Sequence, residues 1–248
     1  MKFSLFTIVA LSLSTCIPAA ALAQEAGRKV IPLKEAKLNI EHNFTDEDTG
    51  FQGAIDSEGW QQLSIVGPDG IVLKFEADGK LKKFGLTELF FETVEPANAD
   101  VPIADVLAKL PEGRYEIFGP STVPAGGLTL GTALLTHDIP KGTTLLSPPE
   151  GATVPLTDLV TKWTPVTKTI DGRPVNIISY QLIVEKIGNP HPHMIGKRSS
   201  LSMYLPPSVT RMTVPKAFLE PGTAYDWEVL AIEQSGNQTL SSGTFSTQ

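Results

Sequence analysis

Apolar and polar residues alternate with a period of two along several segments of this chain, which is the pattern of half-buried β-strands. The clearest run extends from Ile177 to Lys186, and its alternate residues Ile178, Tyr180, Leu182 and Val184 are predicted to form one apolar face. Further strands are predicted at residues 62–66, 71–77, 84–94, 160–163, 211–214, 225–232 and 240–246. Turn residues separate these segments, so the sequence predicts an all-β protein built from two β-sandwiches.

One short helix interrupts this pattern near residues 101–110. Apolar residues recur there with helical spacing, at Ile103, Val106, Leu107 and Leu110. Asp100 is a candidate N-cap, because its side chain can accept a hydrogen bond from the first turn. The first sandwich is therefore predicted to contain one short helix.

A stretch rich in proline and glycine at residues 147–151 predicts a domain boundary. The net charge changes at the same place. Residues 24–150 contain 20 acidic and 11 basic residues, a net charge of −9, whereas residues 151–248 contain 7 and 8, a net charge of +1. We predict an acidic domain over residues 38–143 and a second domain over residues 147–248.

The second domain resembles the fibronectin type III family. Trp163 and the strand around Tyr180 are similar to that family's second and third strands, and the segment from Leu219 to Tyr225 is similar to its loop into the sixth strand. The resemblance implies an immunoglobulin-like sandwich in which Tyr225 is the tyrosine-corner residue, with its hydroxyl bonded to the backbone just upstream. Residues 187–200 are longer than the family usually has there, and the family's Arg-Gly-Asp adhesion motif is absent.

The first 23 residues have the parts of a secretory signal peptide: one lysine, an apolar run and an Ala-x-Ala exit. Cleavage before Gln24 would leave a chain without cysteine. The alternative is lipoprotein processing at Cys16, although Thr15 departs from the usual small residue before such a cysteine. Either route predicts an exported protein, periplasmic or extracellular, and the exit sequence resembles bacterial ones.

The composition excludes several classes of protein. Charged residues make up 19% and the net charge is −7, which argues against a nucleic-acid binder and against a disordered tail protein. No second apolar stretch is long enough to span a membrane. The sequence has no nucleophile-elbow, phosphate-loop or zinc-protease motif, so we predict no enzyme. Glu88 and Glu92 are the one candidate carboxylate pair for glycoside hydrolysis.

Two segments carry residues that could bind metal. Asp46, Asp48 and Asp56 supply the oxygen ligands that calcium prefers, although their spacing fails the EF-hand pattern, and a solvated acidic loop is the alternative. The second segment contains His191, His193 and Met194, whose imidazole and thioether groups are ligands suited to copper. The alternative is an exposed loop with incidental histidines. We predict no obligatory cofactor, with calcium as the candidate ion.

Trp60 and Glu58 form a candidate carbohydrate site, because sugar rings stack on aromatic faces and carboxylates accept hydroxyl hydrogen bonds. The alternative is that Trp60 anchors the core. The sequence thus predicts a non-catalytic exported interaction module whose partner is a protein or glycan at the cell envelope. The alternative function is a carbohydrate- or calcium-binding accessory protein that uses residues 46–60. The oligomeric state is not predicted.

Overall fold

The computed structural model describes residues 19, 27–188, 193 and 200–248. The predicted cleavage site and Cys16 lie outside these residues. The strands are β1 (Val30–Pro32), β2 (Glu35–Asn43), β3 (Asp48–Trp60), β4 (Gln62–Gly67), β5 (Gly70–Glu76), β6 (Leu86–Glu92), β7 (Gly113–Thr122), β8 (Ala125–Leu135), β9 (Leu145–Ser147), β10 (Ala152–Val154), β11 (Val160–Trp163), β12 (Ile177–Lys186), β13 (Ser200–Leu205), β14 (Arg211–Thr213), β15 (Ala224–Glu233) and β16 (Gln238–Thr247). The described helices are α1 (Ile103–Leu107) and two 3-10 turns, Gly79–Leu81 and Lys216–Phe218. The all-β prediction is confirmed.

The second half is an immunoglobulin-like sandwich of two sheets. One sheet has the order β14-β11-β9, and the other has β16-β15-β12-β13, with β10 added in parallel to β16. Trp163 and Tyr180 face each other across the core with ring centroids 5.7 Å apart. Ile178 was predicted to point inward with Tyr180, but it is exposed, because the register of β12 shifts between Ile177 and Ser179.

Each half contains a tyrosine whose hydroxyl bonds to the backbone a few residues upstream. The Tyr225 hydroxyl accepts a hydrogen bond from the Glu220 amide at 2.8 Å, beside the buried Leu219. The Tyr115 hydroxyl donates to the Pro111 carbonyl at 2.6 Å. Both rings lie in a core, so in each half a tyrosine ties the loop before its strand to the sandwich, although Tyr225 accepts the hydrogen bond and Tyr115 donates it.

The first half packs a sheet of order β1-β8-β7-β4-β5 against a sheet of order β2-β3-β6. The long strand β3 connects the two sheets. It pairs with β2 and β6 up to Asp56, and after an irregularity Trp60 pairs with both Leu86 of β6 and Ser121 of β7. The apolar side chains between the sheets form a core separate from that of the second half.

The predicted helix is present but shorter than predicted. α1 covers five residues, Ile103 to Leu107, and its N-cap is Pro102. No side chain caps it, so the role predicted for Asp100 is wrong. The amphipathic pattern nevertheless positions the segment, because Val106 and Leu110 are buried in the first core.

The two halves share a continuous sheet. The first residues of β16 pair in parallel with the end of β2, in the register Gln238 to Glu41. At the same place the buried side chain of Asn237 accepts a hydrogen bond from the Ile40 amide at 2.9 Å and donates one to the Thr136 carbonyl at 2.9 Å. Hydrogen bonds on both sides of Asn237 therefore hold the halves together.

In the part of the chain that the structure describes, no helix is both long enough and apolar enough to cross a lipid bilayer.

Candidate functional site

Trp60 does not form a carbohydrate platform. Its side chain is 1% exposed and belongs to the core of the first half. A sugar ring can stack only on an aromatic face that solvent reaches. The prediction for Trp60 is therefore wrong, and Glu58 instead pairs with Lys34 at 3.0 Å on the surface.

The three aspartates predicted to bind calcium do not converge. Asp48 and Asp56 begin and nearly end the extended strand β3, and eight residues of strand span about 26 Å. Asp46 lies in the preceding turn, where its carboxylate accepts a hydrogen bond from Asn43 at 2.9 Å. One ion cannot contact all three side chains, so this ligand set is wrong.

Two further predictions have different outcomes. His191 and Met194 lie outside the described residues, and the copper hypothesis for them and His193 stays a prediction.

Glu88 and Glu92 lie on one face of β6, about 13 Å apart along the strand. Glycosidase carboxylates are at most about 9.5 Å apart, so this pair does not fit glycoside hydrolysis.

The structure brings together a different set of three carboxylates, a combination that the sequence did not predict although it drew attention to Glu92. Ligand atoms of Glu41, Glu92 and Glu95 all lie within 4.8 Å of one another, at the sheet junction between the halves. Gly50 makes room for this cluster, because a Cβ at that position would lie 2.7 Å from Cγ of Glu95. The cluster supplies three of the six to eight oxygen atoms that calcium takes. Two of these residues are more than 50 positions from the third in sequence, so only the pairing of β2, β3 and β6 assembles them.

Burial raises the pKa of Glu95 to about 7, with further contributions from the neighbouring charges of Glu41, Glu92 and Asp48. The folded protein therefore binds a proton more tightly there than the unfolded chain, whose carboxyl has a pKa of 4.5. The stability that this proton provides is complete below pH 4.5 and is lost as the pH rises through 7.

We expect Glu95→Gln to flatten the fall in stability between pH 5 and pH 8, since the amide keeps the shape of the protonated carboxyl without its titration. At pH 8 the variant should exceed the parent by about 1–2 kcal/mol after allowance for solvent screening. Urea unfolding at several pH values measures this. Glu88→Gln, on the exposed face of β6, is the matched control. Parallel stability curves for parent and Glu95→Gln would contradict the expectation.

A cavity with a volume of about 700 Å³ lies in the first half. It opens between the edge strands β5 and β6, which belong to opposite sheets, and α1 covers one side. Its interior is formed by side chains of the core, including Leu38, Phe51, Ile65 and Tyr115. We call this cavity the apolar pocket.

Close aromatic packing fixes one wall of the apolar pocket. Phe91 of β6 lies over Gly53 of β3, where a Cβ would come within 2.3 Å of the ring. Phe75 of β5 contacts Phe91 with ring centroids 5.4 Å apart, although β5 and β6 are not paired. These contacts bring the two sheet edges together at one end of the opening.

The mouth of the apolar pocket is apolar and exposed. Ile71 of β5 is 61% exposed and Val94, just after β6, is 88% exposed. Asp69 and Lys109 are the charged residues that line it, and neither forms an ion pair with a described residue. This site was not predicted from the sequence, since exposed apolar residues have no local signature that separates a pocket mouth from ordinary surface.

The fold defines an all-β protein of two β-sandwiches, the second of them immunoglobulin-like. Two solved structures are similar to it at low TM-scores. One is a two-domain fibronectin type III segment of chicken tenascin, 15% identical, covering 87% of this chain and 99% of that chain with a TM-score of 0.30. The other comprises the FN1–FN3 domains of chicken CNTN1, 10% identical, covering 89% and 68% with a TM-score of 0.32. No protein-family model and no curated protein matches the sequence.

Proposed function

We propose that this chain is an exported, non-catalytic binding module whose ligand is a small, largely apolar molecule held in the apolar pocket. The observation that carries the proposal is the pocket itself. Its volume of about 700 Å³ lies within the range of about 300–1,000 Å³ that small-molecule sites occupy. Export rests on the signal-like segment at residues 1–23 and remains a prediction.

The lining of the apolar pocket determines the chemical class of the ligand. Apolar side chains from both sheets meet there, and the mouth exposes Ile71 and Val94 to water. Covering such surface is favourable by about 25 cal/mol per Å². Asp69 and Lys109 offer one acceptor and one donor at the rim, so the ligand has an apolar body and at most a few polar groups.

The shape of the apolar pocket favours a compact molecule over an extended peptide. The contact between Phe75 and Phe91 closes the gap between β5 and β6 at one end. A peptide strand added along β5 would have to run past that contact. A small molecule entering beside Ile71 meets no such obstacle.

A neutral apolar fluorophore, N-phenyl-1-naphthylamine, tests the proposal when it is titrated into the full chain. We expect saturable binding that Ile71→Asp and Val94→Asp each weaken about tenfold, because a charge replaces apolar contact at the mouth. Both side chains are exposed, so neither change should affect folding.

Leu134→Asp is the matched control, because Leu134 of β8 is also 61% exposed but does not line the apolar pocket. It should leave binding unchanged. Absence of saturable binding by the folded parent would overturn the proposal. An equal loss in the control and pocket variants would overturn it too, as would competition by an extended peptide without competition by small apolar molecules.

A further inference from the structure

Three segments lie at the end of the first sandwich opposite the apolar pocket, and two of them contact the β7–β8 hairpin that forms the third. They are the loop after β5, the turn between β7 and β8, and residues 27–29 before β1. A Cβ on Gly85 would lie 3.0 Å from Thr122, and the Lys29 carbonyl accepts a hydrogen bond from the Leu128 amide at 2.9 Å. Strand β7 runs between the two ends, and Tyr115 and Thr122 are about 23 Å apart along it.

This end combines basic and exposed apolar side chains. We call it the basic tip and define it by six residues: Arg28, Lys29, Lys80, Leu81, Lys83 and Phe84. Its four basic residues are exposed and form no ion pair with any described residue. The neighbouring Lys82 is different, because it pairs with Glu76 at 3.5 Å and with Asp78 at 4.0 Å.

The apolar members of the basic tip point into solvent. Leu81 is 58% exposed and Phe84 is 81% exposed. The loop holds them in a defined turn, since the amides of Phe84 and Gly85 both donate to the Leu81 carbonyl, at 2.9 and 3.1 Å. Val123 in the adjacent turn is also exposed, so three apolar side chains project from one end of the sandwich.

The charge of the basic tip is opposite to that of the segment that carries it. Residues 24–150 have a net charge of −9, yet four of their 11 basic residues lie here and form no ion pair with an acidic residue that the structure describes. Such a patch attracts an anionic surface, at about 1 kcal/mol per basic residue for anionic lipid. Leu81 and Phe84 are apolar side chains that can enter the boundary between headgroups and acyl chains of a bilayer. A soluble polyanion has no such apolar region to receive them.

We propose that the basic tip docks the protein on an anionic lipid bilayer, with the lysines at the headgroups and Leu81 and Phe84 in the interface. The apolar pocket at the other end then faces away from the membrane. Docking does not depend on a ligand in that pocket, so the two proposals can fail separately.

Vesicle co-sedimentation of the chain from Gln24 onward tests the docking proposal. This form omits the apolar segment 1–23, which would insert by itself. It loses the hydrogen bond from the buried Ala19 amide to Glu116, but it keeps every residue of the two core clusters, the first of which is Leu33. We expect binding to phosphatidylcholine vesicles with 30% phosphatidylglycerol, little binding to phosphatidylcholine alone, and weakening by salt. Lys80→Glu with Lys83→Glu should weaken binding at least ~30-fold.

Two more variants test whether the partner of the basic tip is a lipid bilayer or a soluble polyanion. Leu81→Ser with Phe84→Ser should weaken vesicle binding about tenfold or more, because their apolar contact is lost. Lys141→Glu with Lys216→Glu is the charge-matched control, because it reverses two exposed lysines outside the basic tip. This control should bind the anionic vesicles more tightly than Lys80→Glu with Lys83→Glu. Equal binding to neutral vesicles, no vesicle binding, or a serine variant that binds like the parent would each overturn the proposal.

Discussion

Asn237→Ala is expected to lower the free energy of unfolding by about 3 kcal/mol. The Asn237 side chain is buried between the two halves, where the Ile40 amide donates to it and it donates to the Thr136 carbonyl, both at 2.9 Å. Alanine leaves both backbone groups without a partner at a buried junction. Each buried group that loses its hydrogen bond costs about 1–3 kcal/mol.

Urea unfolding followed by tryptophan fluorescence measures this cost. Asn176→Ala is the matched control, since Asn176 is exposed and its amide donates only to Gln234, at 3.2 Å. The control should change stability by less than about 0.5 kcal/mol. Equal effects of the two variants would show that Asn237 does not hold the halves together.

The local pattern along the chain predicted much of the second half correctly. The strands at Val160–Trp163 and Ile177–Lys186 have the predicted limits, because alternation and turn residues act over a few positions. Asn237 shows where this reasoning stops. It reads as a turn residue, and its hydrogen bonds to residues about 100 and 200 positions away depend on how β2 and β16 pair.

The first half was harder to predict because its acidic residues obscured a strand. Residues 46–60 contain five carboxylates, which suggested a solvated loop, yet β3 covers Asp48 to Trp60. Its acidic side chains, Asp48, Asp56 and Glu58, lie on the opposite face from the buried Phe51 and Ile55, and its glycines admit Glu95 and Phe91 from neighbouring segments. Both the carboxylate cluster and the apolar pocket depend on these close approaches, which no local pattern of the sequence encodes.

The site of largest expected effect in the first half is Trp60. Trp60→Ala should cost about 4 kcal/mol of stability, within the range of about 3–5 kcal/mol for a large aromatic residue removed from a core. Trp60→Phe should cost distinctly less, because it keeps much of the ring volume and the indole N–H has no hydrogen-bond partner among the described residues.

Phe84→Ala is the matched control for Trp60→Ala, since it removes an aromatic ring that is 81% exposed. Its stability should stay within about 0.5 kcal/mol of the parent, although its vesicle binding should fall. The two substitutions are therefore expected to affect different properties. Trp60→Ala lowers the free energy of unfolding, whereas Phe84→Ala lowers the affinity for anionic vesicles. If Trp60→Ala instead unfolded at the same urea concentration as the parent, the ring would not belong to the core, and its assignment as a structural anchor would be wrong.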